Sequence, residues 1–386
     1  MRRNRICWLL VWILSIVGIS LYGGAISYSF FALVTAIPMI SLFYLLCVFL
    51  SFRIYQEIQS NSLVSNHMTT FYFTLQNETF FAFSGIRIIF FSSFSQISGL
   101  DETITYELQP HTGIKKQTKL VCRYRGEYEV GVKQVEIQDF FRLFRLTYRN
   151  KEALRVVVKP NLVHLESIKM DAAILQTARE NHSNAYPDVL VRDYVPGDDY
   201  RQIHWKASAG AGELFVRRQV GEEQNGIGIL FDTKRYDNNP KEYLPIENKI
   251  LETTLALALY YVKKKIAVHT CYLSTKLEEQ QVNNMQSFDT YYEMMAAVGF
   301  DEGREHETFF ACAAKNQILL QSRAVIFVLH EWSDAAVWMA QFLNENNIAV
   351  FVYLITDDLS AVVKPEALSK TEIAVISTQA ALEDVM

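Results

Sequence analysis

The chain has 386 residues, enough for more than one domain. Its formal net charge of −5 excludes the basic footprint of a nucleic-acid-binding protein. Its five cysteines, Cys7, Cys47, Cys122, Cys271 and Cys312, are odd in number and widely spaced, which predicts neither a disulfide framework nor a zinc motif.

From Ile6 to Phe52 there is no charged residue and no His, Asn or Gln. A bilayer span needs about 20 apolar residues, so this run predicts two spanning helices, over about 6–22 and 28–50, with the break at Tyr22-Gly23-Gly24. Arg2, Arg3 and Arg5 precede the first span and Arg53 follows the second, whereas the connection has no basic residue. The positive-inside rule then places both termini in the cytoplasm of a multi-pass protein of the cell membrane. A cleaved signal peptide is the competing reading of the first run. Against it, the second run begins at once, with no small-residue cleavage site ahead of a mature soluble chain. Pro38 lies within the second span, where helix packing in lipid tolerates it. No ionisable residue sits at depth, which argues for an anchor rather than a transport path.

Residues 55–160 read as a β-sandwich-like domain. Met68 to Leu75, Gly85 to Phe91, Lys116 to Tyr124, Tyr128 to Gln138 and Ala153 to Lys159 are short runs rich in aromatic and β-branched residues. Val130, Val132, Val135 and Ile137 alternate with one slip, the mark of a bulge. Arg125-Gly126-Glu127 is a hairpin signal. Residues 161–225 form a connecting segment, and 226–386 alternate strand and helix. Strands are expected at Gly226 to Phe231, Ile266 to Leu273, Ala324 to His330, Ile348 to Ile355 and Thr371 to Ser377. Helices are expected at Ile246 to Lys264, Ser287 to Val298, Thr308 to Leu320 and, behind an N-cap at Ser333, as far as Asn346. Such alternation indicates an α/β domain with a parallel sheet covered on both faces. The expected whole is a multidomain membrane protein: a transmembrane helical hairpin over 1–54, a β-sandwich, then an α/β Rossmann-like domain.

The segment from Val191 to Gln219 carries the most information. Pro196-Gly197 makes a turn, and Asp198 can cap a helix from Asp199 to about Ala209 that Gly210 and Gly212 end. Asp198, Arg201 and Trp205 then share one face, where Arg pairs with the carboxylate and stacks on the indole. Three readings stay open for this segment: a buried brace, a binding surface, or a catalytic site. On the brace reading Lys206 points off that face and is exposed. His204 and Ser208 are four apart, near Asp193 in sequence, but three common residue types near one another are a weak catalytic signal. The chain has no phosphate-binding loop, Gly226-x-Gly228 lacks the third glycine of a dinucleotide fingerprint, and there is no His-Glu-x-x-His. His330-Glu331 after an apolar strand reads as a loop pair. No cofactor is expected.

The residues Arg192, Tyr194, Gly197, Asp198, Arg201, Ile203, Trp205, Lys206, Ser208, Ala209, Gly212, Leu214 and Val216 resemble the signature of the bacterial family called domain of unknown function 58. Position 210, where the family often has Arg, is Gly here. Tyr124-Arg125-Gly126-Glu127-Tyr128, Asp139 to Phe144 and Val157-Val158-Lys159-Pro160 are similar to upstream family elements, with Pro and Gly of the middle one replaced. The resemblance implies a membrane-anchored sandwich followed by a domain similar to von Willebrand factor type A. It also implies association with a MoxR-type AAA+ ATPase, and in some relatives with a membrane transglutaminase-like protein. It implies no reaction. The type-A metal site would use Asp-x-Ser-x-Ser at the end of the first α/β strand, where hard oxygens suit Mg²⁺. Here the stretch is Asp232-Thr233-Lys234-Arg235-Tyr236, so only Asp232 remains of it and no metal is expected. The expectation is a non-enzymatic membrane adaptor or assembly factor whose cytoplasmic body binds a partner. The alternative is a membrane-tethered hydrolase or transferase using Asp198 to Lys206.

Overall fold

The computed structural model describes residues 1–99, 104–150, 152–170, 189–195, 203, 205, 208–209, 213–219, 226–320, 322–346, 348–358 and 371–385. The chain divides into two compact units, Met1–Asn161 and Leu162–Met386.

In the first unit the charge-free run folds as α1 (Arg2–Tyr22) and α2 (Ala25–Ser51). Gly23 ends α1 at φ 55°, a conformation glycine adopts without cost, and its N–H returns to the Ile19 carbonyl. Both helices are long and apolar enough to cross a membrane. Only 6 % of the most apolar window of α1 and 22 % of that of α2 is buried, which separates them from the core helix of a soluble protein. Two indoles of α1 bond α2: Trp8 Nε1 donates to the Val34 carbonyl and Trp12 Nε1 to Thr35 Oγ1, each at 3.2 Å. α1 starts four residues earlier than expected, because Arg2 to Arg5 extend the helix beyond its apolar stretch.

The strands that follow are β1 (Phe52–Ile58), β2 (Ser62–Val64), β3 (Met68–Asn77), β4 (Phe83–Phe90), β5 (Ser95–Ser98), β6 (Thr105–Leu108), β7 (Gly113–Cys122), β8 (Gly126–Val130), β9 (Val132–Gln138), β10 (Arg145–Arg149) and β11 (Leu154–Lys159). They form sheets in the orders β1-β3-β7-β5, β10-β9-β4-β6 and β2-β11-β8. Phe71, Phe73 and Leu75 of β3 join Ile86, Ile88 and Phe90 of β4, Val135 and Ile137 of β9, and Val156 and Val158 of β11 in one core. Leu45 and Val48 of α2 belong to the same core, so the end of the hairpin is built into the β unit. The slip after Val132 is a bulge: Phe90 faces Val132, whereas Ile89 faces Gln134. The expected hairpin at Arg125-Gly126-Glu127 does not form, because β8 pairs with β11 instead of β7. Gly131, at φ 85°, separates β8 from β9. A Cβ there would lie 2.5 Å from Gln56 Oε1 and 3.2 Å from the Phe71 ring, so the corner requires glycine.

The second unit takes in the start of the expected connector, since Leu165 and Ile168 are buried in its core. Its elements are β12 (Val189–Asp193), β13 (Phe215–Gln219), β14 (Ile227–Phe231), α3 (Pro240–Lys263), β15 (Val268–Leu273), β16 (Leu277–Val282), α4 (Met285–Ala296), α5 (His306–Ala313), α6 (Gln317–Leu320), β17 (Ala324–Leu329), α7 (Asp334–Glu345), β18 (Ala349–Ile355), β19 (Glu372–Ile376) and α8 (Leu382–Val385). β12 and β13 form an antiparallel ribbon. The main sheet runs β16-β15-β14-β17-β18-β19, parallel except at β16. One core packs α3 and α4 against the sheet, and a second core packs α5 and α7 against it. α3 begins six residues before its expected start, because Asn239 caps it and Pro240 suits its first turn. The expected helix from Thr308 to Leu320 is two helices, α5 and α6, parted by the turn around Lys315. The chain leaves β14 for β15 on one side and returns to β17 on the other. The crevice beyond the carboxyl ends of β14 and β17 is therefore the topological switch point, where α/β proteins bind ligands.

Candidate functional site

Two places hold the residues that the sequence singles out: the signature segment and the crevice at the switch point.

In the signature segment, Arg192 lies on β12 opposite Val216, and the Tyr194 N–H continues the ribbon to the Leu214 carbonyl at 2.8 Å. Ile203 bridges Val216, and the two side chains are 3 % and 1 % exposed. Ser208 Oγ accepts the Phe215 N–H at 2.9 Å and is buried. Ser208 is thus an acceptor for the backbone of β13, which is a structural use of the hydroxyl. Trp205, between these two anchors, is 64 % exposed. Of the three residues of the expected brace, Trp205 is thus the one described, and it is largely in solvent. Gly197, Asp198, Arg201, His204 and Lys206 lie outside the described residues.

At the crevice, β14 delivers Asp232 to its end, 2 % exposed. The carboxylate accepts the Lys234 N–H at 2.8 Å, the Tyr236 hydroxyl in a short hydrogen bond, and His306 Nε2 at 3.0 Å. His306, the first residue of α5, is itself buried. Its other nitrogen, Nδ1, lies 2.7 Å from Ser333 Oγ, and Ser333 caps α7 by accepting the Ala336 N–H. The Tyr236 oxygen lies 2.7 Å from His306 Nε2. One tautomer satisfies all of these contacts. Tyr236 O–H donates to Asp232, Nε2–H is shared between Asp232 and the Tyr236 oxygen, and Ser333 O–H donates to Nδ1. Burial, then the Asp232 charge, pushes the Tyr236 phenol far above its ordinary value, so it remains a donor at any working pH.

His330 follows β17, donates Nδ1–H to the Ile355 carbonyl at 2.6 Å, and meets the Tyr236 ring edge-on at 4.5 Å. Beyond β18, burial would raise the Asp357 carboxyl, but donors from Ser377 and Thr378 win and hold it below the usual carboxylate range. Arg235 pairs with the buried Glu247 of α3 at 2.7 Å and lies 4.1 Å over the Tyr243 ring, fixing the loop after β14 from the outside.

This donor set does not fit a divalent cation. The carboxylate of Asp232 already serves two side-chain donors and a backbone N–H, and the groups closing on it are an imidazole and a phenol that cannot supply a second hard, charged oxygen. Among the described residues no cluster of three His, Cys, Asp or Glu side chains is arranged for a metal. What the network does is tie the ends of β14, α5 and α7 together. Its serine–imidazole–carboxylate order is also that of a proton relay. His306 and Ser333 carry no motif in sequence, being 74 and 27 residues from their respective partners, Asp232 and His306.

Residues 190–328 match the family model described as protein of unknown function DUF58. The DUF58 match covers the signature segment and the α/β unit as far as residue 328, so it supports the resemblance over the signature segment and over Asp232, Tyr236 and His306 of the crevice, while His330 and Ser333 lie beyond it. No curated protein matches the chain. Among solved structures, an exo-β-N-acetylglucosaminidase from Vibrio harveyi with bound N-acetylglucosamine is similar at 8 % identity and a TM-score of 0.18, covering 79 % of this chain and 57 % of that one. An inactive mutant of that enzyme gives the same values. The chain thus spans less than two thirds of those structures, and the TM-score carries no argument about fold or activity.

Proposed function

We propose that the chain is a membrane-anchored, non-enzymatic adaptor or assembly factor. α1 and α2 span the bilayer as a multi-pass anchor, and the arginines at their outer ends keep both termini in the cytoplasm. The β part of the first unit acts as a sandwich above the anchor. The second unit is a von Willebrand factor type A-like module with a retired metal site, and it presents the DUF58 segment to a partner. That partner is a MoxR-type AAA+ ATPase, and a membrane transglutaminase-like protein is a further candidate. The observation that carries this reading is Trp205. A large indole stands in water while Ile203 and Ser208, two and three residues away, hold the backbone beneath it. Tryptophan is among the residues enriched at the hot spots of protein interfaces. The test is capture: solubilised in mild detergent, the full chain brings down the ATPase and its Trp205→Ala variant does not.

One observation favours a second reading, a membrane-tethered hydrolase. The alternative site over Asp198 to Lys206 lies mostly outside the described residues, but Ser333, His306 and Asp232 have the order of an acyl-transfer triad. Against it, Ser333 Oγ already accepts the Ala336 N–H as a helix cap, and Tyr236 competes for Asp232 and for His306 Nε2. As an adaptor, the chain forms no adduct with a fluorophosphonate probe. Ser333→Ala costs about 1 kcal/mol through the lost cap and about 1–3 kcal/mol more through the buried His306 Nδ1 left without its donor, and leaves capture of the partner unchanged. A probe adduct on Ser333, absent in Ser333→Ala and in His306→Ala, would make the hydrolase the better reading.

A further inference from the structure

Two loops of the first unit present paired phenylalanines to solvent. Phe80 and Phe81, between β3 and β4, are 74 % and 44 % exposed. Phe140 and Phe141, between β9 and β10, are 77 % and 46 % exposed. Both loops are held rigid by buried polar side chains. Asn77 donates to the Phe81 carbonyl at 2.7 Å and accepts from the Thr79 N–H and hydroxyl. Asp139 accepts the Phe141 and Phe144 N–H groups at 3.1 and 2.6 Å. Four phenylalanine rings held out of the core on two hydrogen-bonded loops form exposed apolar surface of the kind that marks a membrane or partner contact.

The position of the loops identifies that medium. Tyr44 of α2 donates its hydroxyl to the Ala82 carbonyl at 2.9 Å and accepts the Ser84 N–H at 3.1 Å. Asn4 and Arg5, in the first turn of α1, donate to the Phe141 and Leu143 carbonyls at 3.0 and 2.6 Å. Each phenylalanine loop is therefore fastened to one helix of the hairpin, at the end away from its Gly23-Gly24 tip. Counting about 20 residues from Ala25 for the hydrocarbon core brings the bilayer boundary to Leu45, next to Tyr44. Counting back from Tyr22 along α1 brings it to the first turn, where Asn4 and Arg5 lie. The remaining turn and a half of α2 carries Val48 into the β core. A polar cavity of about 450 Å³, lined among others by Arg87 and Arg142 and by Glu107, opens beside the same loops, as suits the headgroup level.

We infer that Phe80, Phe81, Phe140 and Phe141 insert into the bilayer at the boundary between headgroups and acyl chains, so that the first unit lies on the membrane by two loops in addition to its hairpin. Interfacial apolar faces bury about 5–10 Å into such a boundary, a depth where aromatic rings are enriched. The inference rests on the reading of α1 and α2 as spanning helices. It adds that the β part is seated on the lipid with a fixed tilt rather than held off it.

The test uses the full chain in nanodiscs of phosphatidylethanolamine and phosphatidylglycerol, with Cys7, Cys47 and Cys312 replaced by Ser. A nitroxide is placed in turn at Phe80→Cys, Phe140→Cys and, as a reference near the middle of α1, Ile13→Cys. Accessibility to oxygen against a water-soluble nickel chelate gives depth. The expected result is a deep reading at 13 and shallow but lipid-side readings at 80 and 140. A deep reading at 13 with water-side readings at 80 and 140 overturns this inference and leaves the anchor intact. Immobilised labels at 80 and 140, shielded from both reagents, overturn it in favour of a protein partner on the loops. A water-side reading at 13 overturns the spanning reading and the inference with it.

Discussion

Asp232→Ala should destabilise the α/β unit by about 3–5 kcal/mol, the usual cost of removing one member of a buried, charged hydrogen-bond network. The variant leaves the Tyr236 hydroxyl, His306 Nε2 and the Lys234 N–H without their shared acceptor, in a place with almost no access to water. Asp232→Asn keeps one oxygen for the Lys234 N–H but sets its amide against donors, and should lose a smaller part of that amount. Urea unfolding of the full chain in mild detergent, followed at the α/β transition, measures both. The same titrations with Mg²⁺ separate the network from a metal site. The parent and both variants should unfold at unchanged midpoints when Mg²⁺ is added. A saturable Mg²⁺ stabilisation of the parent, lost in Asp232→Ala, would show that the carboxylate is a ligand and that Tyr236 and His306 move aside for the ion.

Trp205→Ala should weaken capture of the ATPase by 30-fold or more, since a central interface tryptophan contributes about 2 kcal/mol or more. Unfolding should change by no more than about 0.5 kcal/mol, because the indole is largely in solvent. Ile203→Ala is the contrasting variant. That side chain is buried against Val216, so truncation should cost about 2–5 kcal/mol, and capture should fall because the segment no longer holds its shape. If instead Trp205→Ala lowers stability by several kcal/mol, the indole is part of a brace, and the partner must bind elsewhere.

Much of the α/β unit is legible in the sequence because buried parallel strands read as unbroken apolar runs. Ala324–Leu329 and Ala349–Ile355 are such runs, and every residue in them is buried. Ser333 is equally plain as a helix cap. β16 is not, since LEEQQV is mostly polar and becomes a strand only by pairing with β15 at the sheet edge. The β part of the first unit is harder for a related reason. Its strands are recognisable, but their partners are not, and the turn at Gly126 sends β8 to β11 across the fold instead of back onto β7. At the crevice, Asp232 is readable as the remnant of a site and Tyr236 as a replacement within it. His306 and Ser333 are not readable, because only the crossovers from β14 to α5 and on to α7 bring His306 to the carboxylate and Ser333 to the other side of the imidazole. The signature segment shows its chemistry in one dimension but not its faces. Helical spacing groups Asp198, Arg201 and Trp205, yet the anchors that orient the chain are Ile203 and Ser208, whose partners lie on β13.

An adaptor for an ATP-driven partner must have its body on the side of the membrane where ATP is. Protease added to intact spheroplasts, with detection of a tag at the C-terminus, tests this directly. The account predicts a full-length, protected chain that is cut only after the membrane is opened. Rapid digestion from outside would place both units beyond the membrane and contradict the proposed partner together with the orientation.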